Sequence, residues 1–378
     1  MTKARKLLII SPVAERGGAE RVMEDILKHL DRDQYTPIVV FFQEGTLAQE
    51  FSKQGIPTYV LEAGQLRNLW KYTLVVRQLK QLIAKEGIDA VISWMPKAHL
   101  YASLAGALSG VTVIWWQHSI PDHHWMDRLA SKLPAAGVIC PSMNSQKAQE
   151  KLTRKPVLLN YLGVDLEQFN ADSDEGSAVR KQYGITPEAK VFTFIGRLQR
   201  WKRPDVVIKA FQRIQRVDRD AYLFILGGVL YGLDEDYEQE LRSLAAECSD
   251  PSRIIFLGHQ QNVMPFLSAT DVVVHASMLE PFGMVVAESM AMGKAVVAVG
   301  RGGPSEVIAS GRNGLLYDGS EQELASVLES IVSGRVNVQE LSREARRTVQ
   351  ERFTVKHMTS AFESNLRRLL PAGDGVFR

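Results

Sequence analysis

The chain has 378 residues, 45% hydrophobic and 23% charged, with a formal net charge of +2. A length beyond the usual single core predicts two domains, and the composition excludes extended disorder. So small a net charge argues against nucleic acid as a partner, although the first 165 residues hold 20 Lys and Arg against 15 Asp and Glu, an excess of +5.

Cys140 and Cys248 are far apart and sit among apolar or small residues, which fits two unpaired thiols in a reducing compartment. No apolar stretch reaches membrane-spanning length, and the run at 7–10 is too short for a signal segment. The expectation is a cytoplasmic protein, free or peripheral on the cytoplasmic face of the membrane.

Short apolar runs at 6–10, 37–42, 89–94 and 112–116 read as buried parallel strands. Longer amphipathic runs at 19–30, 69–85 and 97–109 read as the helices between them. Gly17 and Gly18 lie between the first strand and the first helix. They free the backbone to wrap an oxyanion at the helix amino end, or they simply form a tight turn. Neither the Gly-x-Gly-x-x-Gly nor the phosphate-loop spacing is present. The stretch 66–85 mixes Arg67, Lys71, Arg77 and Lys80 with Leu69, Trp70 and Leu74, a pattern that suits an anionic membrane surface or ordinary packing on a sheet. His118 closes the 112–116 strand, where an imidazole either packs structurally or donates to a sugar hydroxyl or a carbonyl. The residues 123–128 offer a further patch facing an acceptor.

The polar stretch 170–176 has no apolar period and marks a domain boundary or its flank. The alternation then restarts, with strands at 191–195, 221–226, 253–257, 271–275 and 295–299 and helices at 204–216 and 235–248. A βα alternation run twice implies two doubly wound α/β domains, 1–170 and 171–355. The carboxyl ends of both sheets are expected to face a common crevice, since open parallel sheets bind ligands at those ends. A last helix over 356–370 carries the apolar stripe Met358, Phe362, Leu366 and Leu369, which something must cover.

The segment Glu280-Pro-Phe-Gly-Met-Val-Val-Ala-Glu288 follows the 271–275 strand and enters a helix expected at 286–293. Glu280 then lies in a loop and Glu288 on the helix. The pair can accept hydrogen bonds from several hydroxyls of a sugar or a ribose; a solvated loop acid beside a capping acid is the alternative. Arg197 and Lys202, after the 191–195 strand, offer a diphosphate a planar fork and a mobile point charge. Arg200 and Arg203 can do the same or stay solvated. Gly302 and Gly303 turn the chain after the 295–299 strand. Asp122, His123, His124 and Asp127 complete no metal-ligand spacing and there is no Asp-x-Asp run, so metal-independent chemistry is expected. The Gly-x-Ser-x-Gly elbow is absent.

Gly17-Gly18, His118, Gly196-Arg197, Lys202, Gly258, the Glu280/Glu288 pair and Gly302-Gly303 together resemble glycosyltransferase family 4 over nearly the whole chain. The order, spacing and strand-end placement of these motifs all agree. The resemblance implies the GT-B architecture: two facing doubly wound Rossmann-like domains with an inter-domain cleft. The acceptor side would be 1–170 and the donor side 171–355, with 356–378 crossing back to the first domain. It implies retaining transfer of a hexose or N-acetylhexosamine from a UDP- or GDP-sugar to a hydroxyl of a glycan, a lipid-linked or a small-molecule acceptor, without a cofactor. Cell-envelope polysaccharide or glycolipid synthesis is the implied setting.

By the same resemblance Arg197 and Lys202 bind the donor diphosphate, helped by the backbone at Gly17 and Gly18. Glu288 takes the ribose hydroxyls and Glu280 the transferred sugar, beside the backbone of Phe282, Gly283, Met284 and Val285. His118 faces the anomeric carbon, and the loop from Gly258 to Val263 borders the base. A non-catalytic nucleotide-sugar binder is a second reading, separated by turnover. Another GT-B enzyme, an epimerase or a phosphorylase, is a third, separated by its products.

Overall fold

The computed structural model describes residues 4–122, 124–171, 175–229 and 235–371. The chain divides into two units, Met1–Gly163 with Val355–Arg378, and Val164–Thr354. The boundaries expected at 170/171 and 355/356 thus stand at 163/164 and 354/355. The reason is backbone pairing: Val164 N–H donates to Phe353 O at 2.8 Å and Val164 bridges Thr354, so both crossing segments belong to the second unit. Residues 172–174 of the polar stretch, and His123, lie outside the described residues.

The first unit opens with β1 (Arg5–Ser11), α1 (Gly18–His29), β2 (Tyr35–Phe41), α2 (Thr46–Lys53) and β3 (Thr58–Val60). It continues through α3 (Leu69–Glu86), β4 (Ala90–Trp94), α4 (Met95–Ser109) and β5 (Thr112–Trp116). Then come α5 (Trp125–Lys132), β6 (Gly137–Cys140), α6 (Met143–Glu150) and β7 (Val157–Leu159). The seven strands form one parallel sheet in the order β3-β2-β1-β4-β5-β6-β7. Leu7 to Ile10 of β1 are fully buried, as a central strand covered on both faces requires.

The second unit runs α7 (Glu175–Gln182), β8 (Val191–Ile195), α8 (Pro204–Val217), β9 (Tyr222–Leu226) and α9 (Glu235–Ala246). Next are β10 (Ile254–Gly258), α10 (Met264–Ala269), β11 (Val272–His275), α11 (Met284–Ala291) and β12 (Ala295–Val299). It closes with α12 (Pro304–Val307), β13 (Leu315–Tyr317), α13 (Glu321–Val332) and α14 (Val338–Arg352). Its six strands are parallel in the order β10-β9-β8-β11-β12-β13. Phe192, Phe194, Phe211, Leu223 and Val274 anchor its core. The long apolar runs became these central strands; the three- and four-residue β3, β6, β7 and β13 are too short to leave a readable period.

The last helix, α15 (Val355–Leu369), belongs to the first unit. Met358, Phe362 and Leu366 are buried, Phe362 sits 5.0 Å from Trp116 between ring centroids, and Asn365 Nδ2 donates to Leu159 O at 3.1 Å. No helix among the described residues is long and apolar enough to cross a membrane. Cys140 and Cys248 are unpaired and buried.

Each sheet reverses its strand order once, between β1 and β4 in the first unit and between β8 and β11 in the second. The loops leaving the carboxyl ends of those pairs open a crevice at each reversal, which is where open α/β sheets take ligands.

Candidate functional site

In the second unit the loops after β8 and β11 bring the predicted cation and acid together. Lys202 ends the short 3-10 turn Arg200–Lys202, and its Nζ donates to Glu280 Oε2 in an ion pair. Both side chains are 15% exposed. His275, the last residue of β11, places Nε2 at 3.4 Å from the same oxygen. Burial alone would raise the Glu280 carboxyl; the His275 hydrogen bond and the Lys202 charge more than reverse this and hold it at about 2. Glu280 is therefore a carboxylate at any physiological pH. Lys202 Nζ also lies 4.2 Å from the centroid of the half-exposed Trp201 ring. Arg197 is exposed in the same loop, and its side chain makes no hydrogen bond or ion pair among the described residues.

Glu280 leads directly into α11. Gly283 caps that helix at φ 93, a left-handed conformation natural to glycine, and supplies no side-chain cap. The N–H groups of Met284 and Val285 in the first turn thus have no intrahelical acceptor. The side chain of Phe282 faces inward, 2% exposed and edge-on to Phe353, so only its backbone is available to a ligand. Gly303 N–H donates to Glu280 O at 2.8 Å, and a Cβ on Gly303 would stand 2.2 Å from Phe282 Cα. This close approach holds the acid-bearing loop in place. Glu288 is half-buried on α11, Gly258 ends β10, and Val263 caps α10.

The first unit's reversal is built differently. Gly17 is the amino cap of α1 and Gly18 its first residue, as the glycine turn predicted. The Glu20 side chain folds back toward Gly17, whose backbone N–H it accepts; a Cβ on Gly17 would meet Glu20 Oε2 at 2.7 Å. Glu20 is 4% exposed, its Oε1 has no hydrogen-bond partner, and burial lifts its carboxyl to about 7. Trp94, at the end of β4, holds the turn by donating from Nε1 to Ala19 O at 3.0 Å. His118 lies in the loop after β5, with its ring 4.4 Å from Trp94 and 5.4 Å from Trp116, nearly parallel to the latter. Burial depresses its imidazole to about 3, so it is neutral, and its Nε2 has no partner.

Sequence reasoning passed over His275, Glu20 and Trp94. His275 had a readable signal, a strand-end histidine five residues before Glu280. Glu20 and Trp94 look in sequence like an ordinary helix acid and an ordinary core residue. Arg16, beside the glycine turn, is taken up by Glu24 and Glu50 at 2.9 and 2.5 Å. Among the described residues five buried polar atoms near these loops lack partners: Glu20 Oε1, Trp116 Nε1 and His118 Nε2 in the first unit, His275 Nδ1 and Ser277 Oγ in the second. Such atoms ordinarily mark a place for water or ligand. Among the described residues no group of three or more His, Cys, Asp or Glu is placed to hold a metal ion.

Two family models match the chain, one in each half: Glycosyltransferase Family 4 over 16–168 and Glycosyl transferases group 1 over 177–348. The chain is 32% identical over 200 residues to the D-inositol 3-phosphate glycosyltransferase of Rhodococcus jostii, covering 52% of this chain and 43% of that protein. It is 32% identical over 184 residues to the lipopolysaccharide core biosynthesis glycosyltransferase LpsE of Rhizobium meliloti, covering 48% of this chain and 51% of that one. The chain therefore spans about half the length of the curated relatives it matches. HepE of Anabaena, solved in complex with UDP and glucose, superposes with a TM-score of 0.84 at 26% identity over 96% of this chain and 99% of that chain. A glycosyltransferase of Rickettsia africae shares the fold, with a TM-score of 0.87 at 19% identity over 98% of this chain and 100% of that chain. Each half of the chain is thus similar to one of these two glycosyltransferase families, and its two doubly wound units are those of the GT-B fold.

Proposed function

We propose that this relative of the two glycosyltransferase families is a retaining enzyme. It moves a hexose or N-acetylhexosamine from a UDP- or GDP-sugar to a hydroxyl of a polysaccharide, glycolipid or small-molecule acceptor, without a resident divalent metal. The observation that carries the reading is the Lys202–Glu280–His275 cluster at the strand reversal of the second unit. HepE, similar along nearly its whole length, was solved with UDP and glucose, which favours a UDP-linked hexose as the first donor to try.

In this reading Lys202 and Arg197 take the donor diphosphate. Lys202 is preorganised by its ion pair with Glu280, and the exposed Arg197 is the mobile fork. Glu280, ionised and fixed, accepts from hydroxyls of the transferred sugar. Glu288 accepts from the ribose, the N–H groups at the start of α11 assist, and the segment from Gly258 to Val263 borders the base. In the first unit the amides at Gly17 and Gly18 serve the diphosphate. Neutral His118 gives or takes one hydrogen bond at the transferring sugar without adding charge. The bond between the anomeric carbon and the diphosphate oxygen breaks, and the acceptor oxygen bonds to the same face of that carbon. The acceptor proton passes to the departing phosphate oxygen.

Incubation with UDP-, GDP- and ADP-sugars and a hydroxyl acceptor should release nucleoside diphosphate and give a glycoside of unchanged anomeric configuration. Thermal protection by the nucleotide without turnover would leave only a binder. An inverted product, or a covalent glycosyl-protein intermediate, would overturn the proposed front-face route.

A further inference from the structure

Helices α3, α4 and α5 lie side by side on one face of the first sheet, α3 against α4 and α4 against α5. The Tyr72 hydroxyl ties the first two by donating to Leu100 O at 2.8 Å. Right-handed crossovers from β3 through β6 put these helices in one layer. Their inward faces are ordinary core, including Val75, Leu79 and Ile83 of α3 and Tyr101 and Ala105 of α4.

The outward faces are not ordinary. Leu69 and Trp70 at the start of α3 are 73% and 78% exposed, and Trp125 at the start of α5 is 55% exposed. Leu74 and Leu129 stand exposed one turn further along the same two helices, and Leu104 and Leu108 on α4 between them. Seven of the eleven exposed large apolar side chains among the described residues therefore sit on this one layer. Scattered single exposures need no explanation, but a concentration on one face does.

Charge on the layer is one-sided. Between residues 63 and 121 the only acids are Glu86 and Asp89. Glu86 accepts from the Tyr59 hydroxyl at 2.8 Å and Asp89 from Lys6 N–H at 2.7 Å. Asp127 of α5 is buried and accepts from Gln117 at 2.9 Å. At the margin, Glu62 is 3.5 Å from Lys71, and Asp122 accepts from His124 N–H at 2.7 Å. Arg77, Lys80, Arg128 and Lys132 remain exposed on the layer. A second copy of this face would set cation against cation. A surface of lipid phosphates over acyl chains matches both features at once.

We propose that the α3–α4–α5 face docks on an anionic lipid bilayer, with Trp70 and Trp125 at headgroup depth and Arg77, Lys80, Arg128 and Lys132 on lipid phosphates. Tryptophan suits that depth because its ring is apolar and its N–H is polar. The proposal stands on these residues alone and does not depend on the transferase reading.

The test is sedimentation of the full chain with vesicles of phosphatidylcholine, alone or with about 30% phosphatidylglycerol to supply the negative surface. Pelleting is expected with the anionic vesicles only, and it should reverse at about 0.5 M salt, where screening is short-ranged. The double variant Trp70→Glu/Trp125→Glu should stay in the supernatant. The double variant Arg77→Glu/Lys80→Glu should partition on the order of 30-fold less, or lower still. All four positions are exposed, so unchanged thermal unfolding of the variants verifies the fold. Absence of pelleting, or equal pelleting with neutral vesicles, would overturn the proposal. So would a concentration-dependent dimer that Trp70→Glu/Trp125→Glu dissolves, which would assign the face to a second copy.

Discussion

Asp89 in the first unit and Asp271 in the second occupy the same structural place. Each precedes the strand beside the sheet's reversal, and each accepts a backbone N–H from the first two residues of the neighbouring central strand: Lys6 at 2.7 Å and Val191 at 2.8 Å. Among the described residues each unit also keeps one non-glycine residue in the left-handed region, beside its reversal: Met95 at φ 68 and Arg203 at φ 56. On this shared frame the first unit places a neutral imidazole against two tryptophans and a carboxyl lifted toward neutrality. The second places a lysine–glutamate ion pair and an exposed arginine. The frame positions loops; the loop residues decide the chemistry. Charge in the second unit's cluster survives burial because it is paired, whereas Glu20 and His118 of the first are pushed toward neutrality because no ion pair offsets their burial.

Lys202→Ala should break this contrast most severely. Transfer should fall on the order of 100- to 1,000-fold, as when a preorganised donor to an oxyanion is lost. The variant should also lose about 3 kcal/mol of stability, because Glu280 is left buried without its cation. Steady-state kinetics and urea unfolding measure the two effects. Lost turnover with unchanged unfolding would mean that the pair is not part of the folded framework.

Acid titration separates the two carboxylates by sign. Glu280 falls from 4.5 unfolded to about 2 folded, so its contribution, about 3 kcal/mol, is complete above pH 4.5. It is lost as pH falls from there toward 2. Urea unfolding of Glu280→Gln should show a flatter acid limb than the parent protein. Glu20 moves the other way, from 4.5 to about 7, so stability present below pH 4.5 is lost as pH rises through 7. Glu20→Gln should be the more stable protein at pH 8, by up to about 3 kcal/mol. A parent protein equally stable at pH 5 and pH 8 would show that water already relieves the buried carboxyl.

The glycines should give the smallest effects, and unequal ones. Gly303→Ala drives a methyl into the Phe282 backbone and should lower stability by about 2 kcal/mol. Gly18→Ala meets nothing within 4 Å and should stay within about 0.5 kcal/mol of the parent in thermal unfolding. If it also leaves the Kd for UDP unchanged, the turn does not wrap the diphosphate.

The amino-acid sequence by itself determined the doubly wound class and most central strands, because Leu7 to Ile10 or Val272 to Val274 can only be buried on both faces. It also placed Arg197 and Lys202 after one strand and Glu280 after another, since strand-end loops follow directly from the strands. Only the tertiary structure decided that β8 and β11 are neighbours, which brings Lys202 onto Glu280, 78 positions along the chain, and adds His275 to the pair. It decided too that Glu20 is buried rather than solvated and that His118 lies against tryptophans from two strands. Burial and pairing depend on which distant segments meet, and no local period or spacing encodes that.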